Sequence, residues 1–311
     1  MADVPALEGE YILKFQDDGG RFSKDATSVI IDLPDNQAPL ITQTRREDLD
    51  SPKFQGTKTN VAFDAITNTL NLVGGGNFDN ITDFDAVGSL DDFGGIVPEG
   101  TYDFGGTAGG DTLDLGGVFS LDLKRHFLTE GFYPSDLFDS RGLIDDITDF
   151  DGLTATEVNA EMLVRVTQDD PSGSPTYTAF QTFANGTYKG RGFQFRAKLT
   201  SRDTAQDIKV SQLGYTASLQ RRTEQGNVIA SGAGAKAVTF TNPFFVGTSS
   251  LLGANTNLPS VGINAQNMAS GDYFEVSSIS GTGFTVHFKN SSNASIDRNF
   301  TYQAVGFGKG G

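Results

Sequence analysis

The stretch from Gly192 to Arg222 constrains this chain more than any other. Phe193, Phe195, Ala197 and Leu199 occupy one set of alternate positions, and Gln194, Arg196, Lys198 and Thr200 occupy the other. A strand sends successive side chains to opposite faces, so this spacing predicts a sheet with one face in a core and one in water. Ser201 to Asp207 is polar and predicts a turn. Ile208 and Val210 then open a second strand. Tyr215, Ala217 and Leu219 alternate again, and Arg221 and Arg222 end the apolar pattern. The prediction is two adjacent strands of a β-sandwich.

The rest of the chain repeats that theme. Glu10–Phe15 and Ser28–Leu33 read as strands around the turn signal Asp17-Asp18-Gly19-Gly20. A hairpin alone is too small to be a domain, and residues 34–60 are charged, so 1–60 reads as an N-terminal hairpin and connector. Strand patterns follow at 118–123 and 158–166, with turn clusters at Asp169–Pro175 and Asn185-Gly186. Short strands with no long helical period predict a β-sandwich over 61–222. Residues 223–234 are poor in apolar side chains and read as a linker. Tyr273–Val276, Gly283–Phe288 and Arg298–Tyr302 then read as strands of a smaller β-sandwich over 235–311. The expected fold class is all-β.

Composition narrows the function. A formal net charge of −16 repels nucleic acid and anionic membrane surfaces, so neither a nucleic-acid partner nor membrane insertion is expected. No stretch of about 18 apolar residues is present, which predicts no transmembrane helix. The first residues lack the basic start and apolar run of a signal peptide, so export by the secretory route is not expected. There is no cysteine to form a disulfide or act as a nucleophile. His126 and His287 are the only histidines, and their separation argues against a His-rich zinc site. His126 reads as a strand-edge or turn residue. Neither histidine has a flanking constellation that suggests a triad, and 39 acidic residues give no basis for selecting a glycosidase pair.

Two kinds of candidate site remain. The string Ile-Thr-Asp-Phe-Asp occurs at 81–85 and again at 147–151, and Asp79, Asp83 and Asp85 gather carboxylates in a Gly-rich run. Calcium takes six to eight oxygen ligands, so this cluster is a candidate calcium site. Its spacing is not that of an EF-hand loop, and a solvated loop whose phenylalanine plugs a core is the simpler explanation. The second candidate is a binding surface. Loops on a rigid sandwich carry function, and sugar faces stack on aromatic rings. Tyr133, Tyr177, Tyr188 and Tyr273 lie near turns, and Ala265–Gly271 and Asn290–Asn293 offer neutral hydrogen-bonding groups. The candidate contact residues are Gln266, Asn267, Tyr273, His287, Asn290 and Asn293.

Four stretches carry a family resemblance: Ala6–Phe22, Asp50–Lys58, Gly190–Arg196 and Gly281–Asn290. They resemble the C-terminal part of J-type host-specificity proteins of tailed bacteriophages. That resemblance implies a virion protein of the tail tip, assembled in the host cytoplasm, trimeric around the tail axis. Its implied partners are a bacterial cell-surface receptor, glycan or outer-membrane protein, and other phage tail proteins. The N-terminal hairpin resembles the end that joins the hub, which leaves the terminal sandwich as the contact end. The Gly192–Arg196 strand is also similar to galactose-binding-type jelly rolls, which implies a jelly-roll-like shape for the larger sandwich and nothing about its ligand. The family motifs are structural and carry no catalytic signature. The expected function is therefore non-enzymatic receptor binding. The alternatives are a structural tail component without receptor contact, or a polysaccharide-degrading tail enzyme.

Overall fold

A computed structural model describes residues 9–13, 27–31, 40–74, 95–105, 112–134 and 155–310. The fold is all-β, and no helix occurs among the described residues. The strands are β1 (Gly9–Leu13), β2 (Thr27–Ile31), β3 (Leu40–Arg46), β4 (Thr57–Thr59), β5 (Val61–Asp64) and β6 (Thr69–Leu72). They continue as β7 (Glu99–Asp103), β8 (Thr112–Phe132), β9 (Val158–Thr167), β10 (Gln181–Thr182), β11 (Gly186–Ser201) and β12 (Asp207–Ala230). The last are β13 (Lys236–Thr239), β14 (Ser260–Gln266), β15 (Tyr273–Ser277), β16 (Gly283–Lys289), β17 (Asn299–Phe307) and β18 (Lys309–Gly310).

Strands β1 and β2 pair as an antiparallel hairpin. The main sheet runs β10-β9-β11-β8-β12-β17-β14, with β3 and β6 also on β12 and β7 on β11. A separate three-stranded sheet has the order β13-β16-β15. Strands β11 and β12 follow one another in sequence, but they are not sheet neighbours, because β8 lies between them in the strand order. The stretch 34–60, expected to be a connector, contains β3, which pairs with β12 from Gly214 to Gln220. The expected linker at 223–234 is strand over most of its length, because β12 runs without a break to Ala230. His126 is a strand-interior residue opposite Gly214 rather than an edge or turn residue.

Strand β12 has 24 residues. At about 3.3 Å per residue it would extend roughly 80 Å if straight. Ile208 and Val210 are buried, and after a bulge between Val210 and Gln212 the buried set becomes Leu213, Tyr215, Ala217 and Leu219. One extra residue in a strand shifts its alternation, which explains the change of phase. These residues line the larger core with Phe104, Phe195 and Leu199. Within it the Phe195 and Tyr215 rings stack with centroids 4.2 Å apart.

Beyond Gln220, β12 pairs with β17 through Arg221–Gly226 and Ile229–Ala230. From Arg222 to Gly226 its even-numbered residues face the smaller core, and after the register shift Ile229 does; that core is built from Phe240, Phe244, Phe284, Val286, Phe288 and Phe300 with Tyr302. Arg222 lies 3.7 Å from the Phe244 ring centroid. Its Nε donates to Gly308 O at 2.7 Å and its Nη1 to Glu224 at 3.1 Å. Its Nη2 donates to the carbonyls of Asn242 and Pro243. Glu224 also accepts the Thr241 N–H at 2.6 Å and the Tyr302 hydroxyl at 3.3 Å. Gly226 is required here, because a Cβ at this position would meet the Tyr302 ring at 2.0 Å. Phe244 belongs to the smaller core and the next residue, Phe245, to the larger one. Phe245 meets Phe119 edge-on at 5.9 Å.

The corner after β3 adds a polar pin. Glu47 is buried, accepts the Tyr102 hydroxyl and pairs with Arg45 at 2.9 Å. Burial pushes the Glu47 carboxyl up, and the Tyr102 hydroxyl and Arg45 oppose that shift. Asp48 pairs with Arg46 at 2.7 Å and accepts the Leu213 N–H at 3.0 Å, fastening this corner to β12.

Asp207 is a buried carboxyl of another kind. It is 3% exposed and accepts the N–H groups of Leu72 at 3.2 Å and Ile208 at 2.6 Å. Burial raises its pKa from 3.8 to about 6, because two amide donors do not replace the lost water. A carboxyl whose folded-state pKa is raised stabilises the fold most when protonated. Stability contributed by Asp207 therefore falls as pH rises from about 4 through 6, by about 3 kcal/mol in total. Asp207→Asn keeps the acceptor oxygen and removes the charge. Its melting temperature should exceed that of the parent chain at pH 7, and the gap should close near pH 4. A gap that does not change with pH contradicts this assignment.

Candidate functional site

The smaller sandwich gathers the candidate contact residues at one end. In β16, Phe284, Val286 and Phe288 are buried, which turns Thr285, His287 and Lys289 outward. The β15 register places Tyr273 opposite Lys289, Phe274 opposite Phe288 and Glu275 opposite His287. Tyr273, Glu275, His287 and Lys289 therefore share the outward face. Lys289 Nζ donates to Glu275 Oε2 at 2.8 Å, and this bond holds the carboxyl below its usual range and the ammonium above its own. His287 Nε2 lies 2.8 Å from Ser295 Oγ.

The turn after β16 completes this face. Asn290 Oδ1 accepts the N–H groups of Ser292 and Ala294, each at 3.0 Å. Such side-chain closure is the reason asparagine favours turns. Asn293 takes a positive φ of 62°, which asparagine tolerates better than most residues, and its Oδ1 accepts the Tyr273 hydroxyl at 2.5 Å. Asn290 thus builds the turn with its amide oxygen, while Asn293 fixes the Tyr273 ring. The ring itself remains 39% exposed.

Loop 267–272 packs beside this turn. At Gly271, with φ 86°, a Cβ would lie 2.9 Å from Ser291 Cβ. Asp272 Oδ2 accepts the Ala269 N–H at 2.8 Å and two guanidinium N–H groups of Arg298 at 2.9 and 2.6 Å. These bonds hold the Asp272 carboxyl below the usual range, the Ala269 amide contributing most. Arg298 immediately precedes β17, so the loop is tied to the sheet.

The six candidates divide into two groups. Tyr273, His287, Asn290 and Asn293 come together on the β15–β16 face and its end turn. Gln266 ends β14 opposite Asn299, and Asn267 begins the loop with φ 57°. Ala265 and Gln266 are thus strand residues, not loop residues as expected. Gln266 lies on the outward face of the other sheet, with Asn264, Thr301 and Gln303, a surface of uncharged amides and hydroxyls. That face was legible in the alternation of Val261, Ile263 and Ala265 with Gly262, Asn264 and Gln266. Two exposed apolar side chains, Met268 and Phe274, also belong to this end and were not anticipated. The rim so assembled offers neutral hydrogen-bonding groups around aromatic rings, a surface chemistry suited to sugars or to a polar protein patch.

Asp79, Asp83 and Asp85, proposed for calcium, and both copies of Ile-Thr-Asp-Phe-Asp lie outside the described residues. Among the described residues, no group of three or more His, Asp or Glu side chains is placed to hold a metal ion. No helix among them is long and apolar enough to cross a membrane. No protein-family model, curated protein or solved structure matches the chain.

Replacing Asp272 by alanine should release the loop without unfolding the sheets. Hydrogen exchange at residues 267–272 is expected to accelerate by an order of magnitude or more. Exchange in β16 and β17 should stay near that of the parent. Unchanged exchange in the loop contradicts the proposed tether.

Proposed function

We propose that this chain is a non-enzymatic receptor-binding protein of a bacteriophage tail tip. In this reading, the rim of the smaller sandwich contacts a bacterial surface glycan or outer-membrane protein. The observation that carries it is the convergence of Tyr273, His287, Asn290 and Asn293 on one outward face, with Tyr273 oriented by Asn293. A ring held by a hydrogen bond loses little freedom on stacking against a ligand, which favours binding. On this face Glu275 and Lys289 neutralise each other and the other contact groups are neutral; with a chain net charge of −16 this favours a partner that is not itself strongly anionic. The resemblance of four stretches to J-type host-specificity proteins supports the biological setting. With it come a homotrimer, attachment to other tail proteins through the N-terminal hairpin, and assembly in the host cytoplasm.

The test is competition. Purified chain, added to host cells before phage, should bind the cells and reduce adsorption without releasing oligosaccharide. The double variant Tyr273→Ala/Asn293→Ala should retain its cooperative melt and lose at least tenfold in cell binding. Released oligosaccharide would replace the binding reading with an enzymatic one. A native oligomer that neither binds nor blocks would favour a purely structural tail component.

A further inference from the structure

The larger sandwich carries a different feature on the outward face of β9 and β11. Their register sets Arg165 opposite Gln194 and Leu163 opposite Arg196. The segment leading to β10 crosses this face and is held by a pair of bonds to Val166. Its N–H donates to Thr178 Oγ1 at 3.1 Å, and its carbonyl accepts the Thr178 N–H at 2.9 Å. Tyr177 and Phe180 from this segment both lie against the Arg165 guanidinium, with ring centroids 4.8 and 4.6 Å away. Arg196 covers the Phe180 ring as well, at 4.3 Å.

The orientation of Arg165 is fixed within its plane too. Its Nε donates to Gln194 Oε1 at 2.8 Å, and Gln194 Nε2 donates to Thr112 Oγ1 at 2.7 Å. Thr112 Oγ1 in turn lies 3.4 Å from the Tyr177 hydroxyl. Among the described residues, what the guanidinium lacks is an anion. Arg46, Arg191, Arg196, Arg222 and Arg298 each close on a carboxylate. Arg165 is half-buried, yet no carboxylate of the described residues pairs with it.

We propose that Arg165 is the anchor of a second ligand site, one that takes the carboxylate of an acidic saccharide. A guanidinium presents parallel N–H groups that match the two oxygens of a carboxylate, and contact with two aromatic rings lowers the entropy cost of aiming it. One fork takes one carboxylate. The adjacent Gln194 amide and the Thr112 and Tyr177 hydroxyls are the kinds of group that bind sugar hydroxyls. A glycan with isolated uronic-acid units suits a chain with net charge −16 better than a dense polyanion does. This site is on a different sandwich from the Tyr273 rim and does not rest on the tail-tip reading.

Calorimetric titration of the full chain tests it. The probes are a glucuronic-acid-containing disaccharide, its carboxyl-reduced counterpart and inorganic phosphate. The acidic disaccharide should bind at least tenfold more tightly than the reduced form. Arg165→Gln should weaken it about 10- to 100-fold, the scale of a lost charge-assisted pair. Arg202→Gln, which removes the same charge from an exposed arginine, should leave binding unchanged. If Arg165→Gln does not melt cooperatively, Arg165→Lys keeps the charge and the stem but loses the fork, and it should also bind at least severalfold more weakly. Equal binding of the acidic and reduced sugars overturns the proposal, as does undiminished binding by the folded Arg165 variant. Phosphate binding as tightly as the uronate overturns the saccharide class.

Discussion

The structure depends on one strand belonging to two cores. Strand β12 gives Leu213, Tyr215, Ala217 and Leu219 to the larger core, and from Arg222 to Gly226 its even positions face the smaller one. No bulge interrupts its pairing between these segments, so alternation alone places the two cores on opposite faces of the strand. Phe244 and Phe245 repeat the device in two consecutive residues, one side chain in each core. The Arg222–Glu224 knot sits at this crossover and satisfies its partly buried donors and acceptors through the carbonyls of Asn242, Pro243 and Gly308 and the amide of Thr241. A partly desolvated charge pair adds little unless its remaining hydrogen bonds are made, and here they are made mostly by the backbone of residues 241–243, the segment that must be positioned.

This arrangement explains how a small sandwich can present a defined rim. Strand β17 pairs on one side with β12 and on the other with β14, so the sheet bearing Gln266 continues the main sheet. Arg298, at the start of β17, holds Asp272 and through it the loop beside the Asn290–Asn293 turn. Each contact residue is thus no more than a few bonds from a paired strand. Rigid scaffolds with short loops are the usual means of positioning binding groups.

Legibility in the sequence followed the chemistry of each strand's two faces. Residues 192–200 were plain because one face is apolar and the other charged, and β11 buries Phe193, Phe195, Ala197 and Leu199 accordingly. The second half of β12 was not legible, because one face meets water and the other presents Arg222 and Glu224 rather than apolar groups. A polar knot looks like a linker until its partners, 17 to 86 residues away in sequence, are known. Strand β3 was hidden for a related reason: Arg45, Arg46, Glu47 and Asp48 read as surface charge, yet Glu47 and Asp48 are buried against Tyr102 and Leu213. At the candidate site, Tyr273, His287, Asn290 and Asn293 were legible as loop and outward-face residues, but the Tyr273–Asn293 bond that joins them depends on the hairpin register. The Arg165 site offered no local signal, because Arg165 in β9, Tyr177 and Phe180 in the segment before β10, and Gln194 in β11 come from three different segments.

Hydrogen exchange along β12 tests the shared strand most directly. If the strand couples both cores, amides at 221–226 should open with the same free energy as those at 213–219. Both groups should then follow the global unfolding of the chain in denaturant. If the 221–226 amides instead exchange through a separate, lower-energy opening while 213–219 stay protected, the two sandwiches are independent units joined by a strand, and the account is wrong.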